Sequence, residues 1–252
     1  MVLLLPILVP LIGGIFVFRQ KSEQLRDRLA LTVILATAVL AAVACLLPER
    51  RLVLLTIQGV LHLALRTDGL ARFFMLLCVC IWVPVLLFAF PYIRHAGRER
   101  QFLGFYTMTL GVLMGLAMAA NFVTLYMFFE VMSLITVPLV LHTSTAAARR
   151  AGFKYLGYSV FGAGMALIGY FFVAYYLAAP DFAAGGVMDP ARSAQHRELL
   201  LAAYCLMIVG FGAKAGMVPM QAWLPSAHPV APAPASAVLS GVITKGGVLA
   251  VI

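Results

Sequence analysis

The chain has 252 residues, of which 63% are apolar and only 11% charged, with a mean hydropathy of +1.03. A soluble domain carries roughly 25% charged residues, so these proportions exclude an ordinary soluble globule and point to an all-α polytopic membrane protein. The formal charge of +9 is no argument for nucleic acid, because the basic residues come in small groups between apolar runs, as membrane loops do.

A spanning helix needs about 20 mostly apolar residues. Eight such runs follow one another: Met1–Phe18, Leu29–Leu47, Leu70–Phe90, Phe102–Ala120, Phe122–Leu141, Phe153–Ala179, Leu199–Leu224 and Pro234–Ile252. The first lacks a basic n-region and no small-residue cleavage motif leads on to a soluble domain, so it reads as a span. Leu52–Leu65 is too short to cross; it is expected to form a small hairpin turning at Gln58-Gly59, or else to lie along the interface. Only Asn121 separates the fourth and fifth runs, which predicts a tight helical hairpin. Cys45, Cys78, Cys80 and Cys205 all fall in apolar runs and read as small buried residues rather than metal ligands or disulfides. Lys and Arg are commoner in the first, third and fifth connections than in the second and sixth, which places the N-terminus outside the cytoplasm. The chain stops on "KGGVLAVI" with no polar segment after the eighth run, so it reads as a piece cut within or at the end of that helix.

Almost every charge lies in or beside a connection. The exceptions are Glu130 in "LYMFFEVMSLITVPL", Lys214 in "GFGAKAGMVPMQAWLPSAH" and Lys245 in "SGVITKGG". A charge at the bilayer centre costs about 2.5–3.5 kcal/mol, so all three are expected to face the bundle interior, to pair, or to touch internal water. Two readings compete: a buried Glu–Lys bridge that holds helices together, and a proton path. Buried bridges contribute little to stability. Two lysines against one carboxylate also leave a positive charge over, which favours the path. Pro219 and Pro225 follow Lys214 and predict a broken seventh helix, either an ion site at mid-depth or a packing kink.

Several weaker signals surround these residues. "GFGAKAG" lacks the spacing and the preceding strand of a nucleotide-binding loop. Gly157, Gly162, Gly164 and Gly169 are expected to let helices approach closely. His142 and His228 stand near span ends, and Lys154 opens the sixth run as an anchor or as a modulator of the Glu130 site.

The stretch "KAGMVPMQAWLPSAHPVAPAPASAVLSGVITKGG" resembles the signature of antiporter-like membrane subunits, found in respiratory complex I, in membrane-bound energy-converting hydrogenases and in Mrp-type cation/proton antiporters. "LYMFFEVMSLITVPLVL" is similar to that family's fifth helix and "GFKYLGYS" to the start of its sixth. The resemblance implies three N-terminal helices with a short extramembrane hairpin (residues 1–101), then a first five-helix unit (102–252) truncated at the eighth helix, its second, inverted repeat missing. It implies that Glu130 partners Lys214, that Lys245 is the central lysine joining the two halves of a path, and that Lys154 lies near the pair. Gln221 stands where many members have histidine, and a neutral amide orders water but does not titrate.

The implied function is proton translocation in a redox-driven pump, with no metal or organic cofactor and no redox centre in this chain. The implied partners are other membrane subunits, antiporter-like paralogues among them, the lipid bilayer, and no nucleic acid, in a bacterial or archaeal cytoplasmic membrane. The alternatives are an Mrp-type sodium/proton antiporter subunit, for which Glu130 with Ser133 or Thr136 is a thin oxygen set, and a structural subunit that conducts nothing. A membrane-embedded hydrolase or transferase would need a second intramembrane carboxylate or an activated nucleophile.

Overall fold

A backbone inside a bilayer must satisfy its own hydrogen bonds, and the apolar runs accordingly become helices. The computed structural model describes residues 2–57 and 61–252. A short 3-10 turn, Val2–Leu4, leads into α1 (Leu5–Arg19), followed by α2 (Glu23–Leu46), a two-stranded antiparallel sheet of β1 (Arg51–Ile57) and β2 (Leu61–Arg66), and α3 (Gly69–Ala96). Three further helices, α4 (Glu99–Ala117), α5 (Phe122–Val140) and α6 (Ala146–Ala174), precede a long connection holding α7 (Pro190–Ser193).

The expected hairpin is present, with Arg51 opposite Arg66; its expected turn at Gln58-Gly59 lies outside the described residues. Backbone hydrogen bonds tie the sheet to the helices. Arg66 N donates to Met118 O (2.7 Å) and Ala120 N to Ala64 O (2.9 Å), so the α4–α5 link joins the sheet; in the long connection after α6, Phe182 N donates to Ala120 O (2.9 Å) and Phe182 O accepts from the Arg66 guanidinium (2.7 Å). Asn121 caps α5 by accepting from Thr124 N (2.9 Å), which makes the tight helical hairpin.

Among the described residues, seven helical stretches are long and apolar enough to cross a membrane. The expected fourth run, Phe102–Ala120, forms α4, which is outside that number. It lies at the centre, against α1, α3 and α5, and neighbours rather than lipid cover its glycines, threonines and Tyr106. Thr107 and Thr109 turn their hydroxyls back to Leu103 O and Phe105 O (both 2.7 Å). Tyr106 OH donates to Trp82 O (2.8 Å) and Trp82 Nε1 to Tyr106 O (3.2 Å), locking α4 to α3. Among the described residues the larger hydrophobic core runs from Leu3 to Leu249, and a smaller one gathers Val173, Tyr176, Leu200 and Ala203.

The seventh helix is broken as expected, but earlier than the prolines suggest. Helix α8 (Arg197–Ala215) stops at Gly216, whose φ of +78° is the left-handed conformation that ends helices. Pro219 lies beyond the break and precedes a 3-10 turn (Met220–Trp223). Pro225 sits in the first turn of α9 (Leu224–Ala227), where its missing N–H costs nothing. The eighth helix is α10 (Ala233–Val238), a π-helical turn (Leu239–Ile243) and α11 (Thr244–Val251).

Candidate functional site

Small residues set the distance between α6 and α8. A Cβ on Gly210 would meet Gly162 O at 2.5 Å and Ala166 N at 2.6 Å, so the two backbones touch. Gly169 makes a similar approach to Ala203 O at 2.6 Å, whereas nothing lies within 4 Å of a Cβ on Gly157 or Gly164; the glycine expectation holds for two of its four positions.

This approach lays Lys214, in the last turn of α8, against the hydroxyls of α5 and α6. Lys214 is 1% exposed. Its Nζ donates to Tyr155 OH (2.5 Å), Ser133 Oγ (3.0 Å) and Ser159 Oγ (3.1 Å), so each of the three ammonium donors has an acceptor. The C-terminal end of a helix also favours a cation. Two of the hydroxyls have further partners: Ser133 donates to Phe129 O (3.0 Å), and Tyr155 OH lies 2.6 Å from Thr136 Oγ1, which donates to Met132 O (2.7 Å). Trp223 Nε1 donates to Ala213 O (2.8 Å), meeting a carbonyl that the break leaves free, and its ring leans on Tyr155 with centroids 4.9 Å apart.

Glu130 is half-buried on α5, three residues before Ser133 and therefore on a neighbouring part of the same helix face. Among the described residues no carboxylate stands within ion-pair range of Lys214, so the sequence expectation of a direct Glu130–Lys214 pair differs from what is observed. Neutral hydroxyls hold the ammonium instead, which avoids desolvating a second ion.

Lys245 also departs from expectation. It is exposed on this chain's surface, where its Nζ donates to Ser240 O (2.6 Å), a carbonyl in the π turn. The π turn ties it to the region after the break, because Ser240 Oγ lies 3.3 Å from His228 Nε2 while His228 Nδ1 lies 2.5 Å from Ser236 Oγ. Burial holds the His228 imidazole below its usual range. An open depression of about 470 Å³ exposes His228, Ser236 and Ser240 beside Tyr92. Lys154 donates to Ser226 Oγ (3.0 Å), linking α6 to α9 rather than to Glu130. Gln221 Oε1 is buried without a hydrogen-bond partner among the described residues. A larger cavity of about 670 Å³ is mostly apolar and lined by Phe122, Tyr170 and Leu249; it reaches Phe211 but not Lys214.

The structure thus gathers two clusters: Lys214 with Ser133, Tyr155 and Ser159, next to Glu130; and Lys245 with Ser240, His228 and Ser236. Tyr155 and Ser159 were not singled out from sequence. The signal was there in their spacing, since hydroxyls at i and i+4 on α6 and at i and i+3 on α5 share a face in otherwise apolar spans.

Comparison with known proteins identifies the family of the chain. A family model described as "NADH:quinone oxidoreductase/Mrp antiporter, TM" matches residues 119–252. Hydrogenase-4 component B of Escherichia coli is 31% identical over 192 residues, covering 75% of this chain and 28% of that protein. An Na(+)/H(+) antiporter subunit of Alkalihalophilus pseudofirmus is 30% identical over 188 residues, covering 72% of this chain and 22% of its own length. The chain therefore spans less than a third of these curated relatives. The structure of the Mrp complex from Dietzia sp. DQ12-45-1b superposes with a TM-score of 0.82 at 20% identity, covering 99% of this chain and 28% of that one, which shows the shared fold. With more than half of its residues matched, this multi-pass membrane chain belongs to the NADH:quinone oxidoreductase/Mrp antiporter family of antiporter-like membrane subunits.

Proposed function

We propose that the chain is the part of a proton-translocating membrane subunit that carries its first proton-holding site, with Lys214 as the carrier, Glu130 as its electrostatic modulator and Lys245 as the next station. The observation that supports this most is a lysine at 1% exposure whose three donors meet three hydroxyls at the end of a broken helix. A lysine buried merely for packing is expensive, whereas one in a polar cage beside a carboxylate can hold a proton in one arrangement and release it in another.

In this reading a displacement imposed by a neighbouring subunit changes the distance between Glu130 and the cage. Lys214 then passes its proton through internal water toward Lys245, and the His228–Ser240 contact connects that station to the depression outside. Lys154 steadies α9 through Ser226, Gln221 offers its free acceptor to a water, and Pro219 and Pro225 keep the segment after Gly216 from joining α8. The face bearing Lys245 is the one that the remainder of a full-length subunit would cover. Partners are other membrane subunits, as in the multisubunit Mrp complex. The Lys and Arg bias of the connections supports an outside N-terminus in a bacterial or archaeal cytoplasmic membrane.

Similarity to Na(+)/H(+) antiporter subunits supports a second reading in which sodium is transported. Proteoliposomes holding the full-length protein with its partner subunits separate the two. Translocation that persists in sodium-free buffer supports the proton reading, and translocation that needs sodium overturns it.

A further inference from the structure

We infer that Tyr155 is the positioning residue that reads the protonation state of Lys214, its phenol donating to Thr136 when the lysine is charged and to the lysine nitrogen when it is neutral. This rests on the proton-carrier reading of Lys214 and assigns a residue that reading does not need.

The valences of the groups dictate the charged state. An ammonium has three donors and no acceptor, so Lys214 donates to Tyr155 OH. Thr136 Oγ1 donates to the helix carbonyl of Met132 (2.7 Å), which leaves its lone pairs to accept from the phenol 2.6 Å away. The proton order then runs one way, from Lys214 through Tyr155 and Thr136 to the α5 backbone. When Lys214 gives up a proton, its nitrogen becomes an amine with two donors and one lone pair, and that lone pair sits in a buried site. An unmet buried acceptor is costly.

Of the three hydroxyls in reach, the phenol is the most acidic and the nearest, at 2.5 Å against 3.0 and 3.1 Å. A rotation of its O–H about the C–O bond moves the donated hydrogen from Thr136 to Lys214. Tyr155 gains and loses no proton in this exchange, and the proton released by the ammonium leaves along the path. The ring also bears on Trp223, whose indole holds Ala213 O beside Lys214 (2.8 Å). The phenol therefore touches both the carrier and the segment after the helix break. The charged and titratable groups around it are Lys214 on α8, Glu130 on α5, and Lys154, the preceding residue on α6, whose ammonium is held by Ser226 of α9.

The test uses the full-length protein in its complex, in proteoliposomes, with Tyr155→Phe, Thr136→Val, Lys214→Met and the double variant Tyr155→Phe/Lys214→Met. Tyr155→Phe keeps the ring on Trp223 and removes only the hydroxyl. Translocation is expected to fall about tenfold, the factor that one hydrogen bond to a charged group carries, with the alkaline limb of the pH–rate profile displaced. Thr136→Val leaves the tyrosine but removes its resting acceptor, and is expected to displace the same limb. In infrared difference spectra with ring-labelled tyrosine, a phenol C–O band should change with pH in the wild type and vanish in both Tyr155→Phe and Lys214→Met. In the Lys214→Met background, where translocation is already lost, Tyr155→Phe should bring no further change to the pH-dependent infrared difference spectrum, because a residue acting through another adds nothing once that other is gone. An unchanged pH profile in both Tyr155→Phe and Thr136→Val, or a tyrosine band that persists in Lys214→Met, overturns the inference. If Lys214→Met itself translocates normally, the underlying reading of Lys214 fails instead.

Discussion

Replacing Gly210 by alanine should separate function from folding, because it pushes apart the two helices that bring Lys214 to its acceptors. The new Cβ would stand 2.5 Å from Gly162 O and 2.6 Å from Ala166 N, where ordinary contact begins at 3.4 Å. Both opposing atoms are backbone and cannot rotate away, so α6 and α8 must part by about 1 Å. Overpacking of this kind costs about 1–3 kcal/mol, enough to lower the melting temperature by a few degrees. The same displacement acts on Lys214, whose bonds of 2.5 and 3.1 Å to Tyr155 and Ser159 both cross the α6–α8 seam. Lengthened by about 1 Å, both leave hydrogen-bond range, while the bond to Ser133 on α5 survives. Losing two bonds to a charged group, each about 1.5–3 kcal/mol, should reduce translocation in proteoliposomes more than tenfold in a complex that still assembles. Gly164→Ala is the control: its Cβ meets nothing within 4 Å, and helix propensity favours it by about 1 kcal/mol. Full translocation by Gly210→Ala, or equal damage from Gly164→Ala, would refute the seam as the device that positions Lys214.

Trp223→Phe keeps most of the ring contact with Tyr155 but leaves Ala213 O without its donor. Purified protein should lose about 1–3 kcal/mol, read as a lower thermal midpoint. Away from this site, Arg26 is 2% exposed and lies 3.1 Å from Glu99, joining α2 to α4. Arg26→Leu alone should destabilise by up to about 3–5 kcal/mol by leaving a half-buried carboxylate unpaired, and Arg26→Leu/Glu99→Leu should recover much of that loss, as thermal unfolding in detergent will show. His142 is buried with Nε2 unpaired among the described residues, its ring edge-on to Phe102, and burial lowers its pKa from 6.5. A lowered histidine pKa means that the unfolded chain binds the proton first. Stability should therefore be full above about pH 6.5 and fall as the pH drops below it, a slope that His142→Phe should flatten in melting curves at successive pH values.

The spans were legible in the sequence because the bilayer demands length and apolarity at every crossing. The fourth run, Phe102–Ala120, was legible too and is helix α4, although α1, α3 and α5 rather than lipid cover it. The break in the seventh helix was legible as an event and misplaced by a few residues, since prolines are visible as breakers while the left-handed conformation of Gly216 is set by the fold. In the candidate site, the three intramembrane ions stood out because charge in an apolar run is conspicuous. Their surroundings did not. Hydroxyls such as Tyr155 and Ser159 are compatible with lipid-facing helices, and only the register between α5, α6 and α8 reveals that they converge on Lys214. The bond of Lys245 to the Ser240 carbonyl depends on the π turn at Leu239–Ile243, which the sequence does not announce.

The central claim is that Lys214 carries the transported proton. Its most direct test is proton uptake, read with a pH-sensitive dye, by proteoliposomes containing the assembled full-length complex with either wild-type protein or Lys214→Met, a substitution close in length and free of charge. Uptake abolished in a variant that assembles normally is the predicted result. Uptake within twofold of wild type would contradict the account.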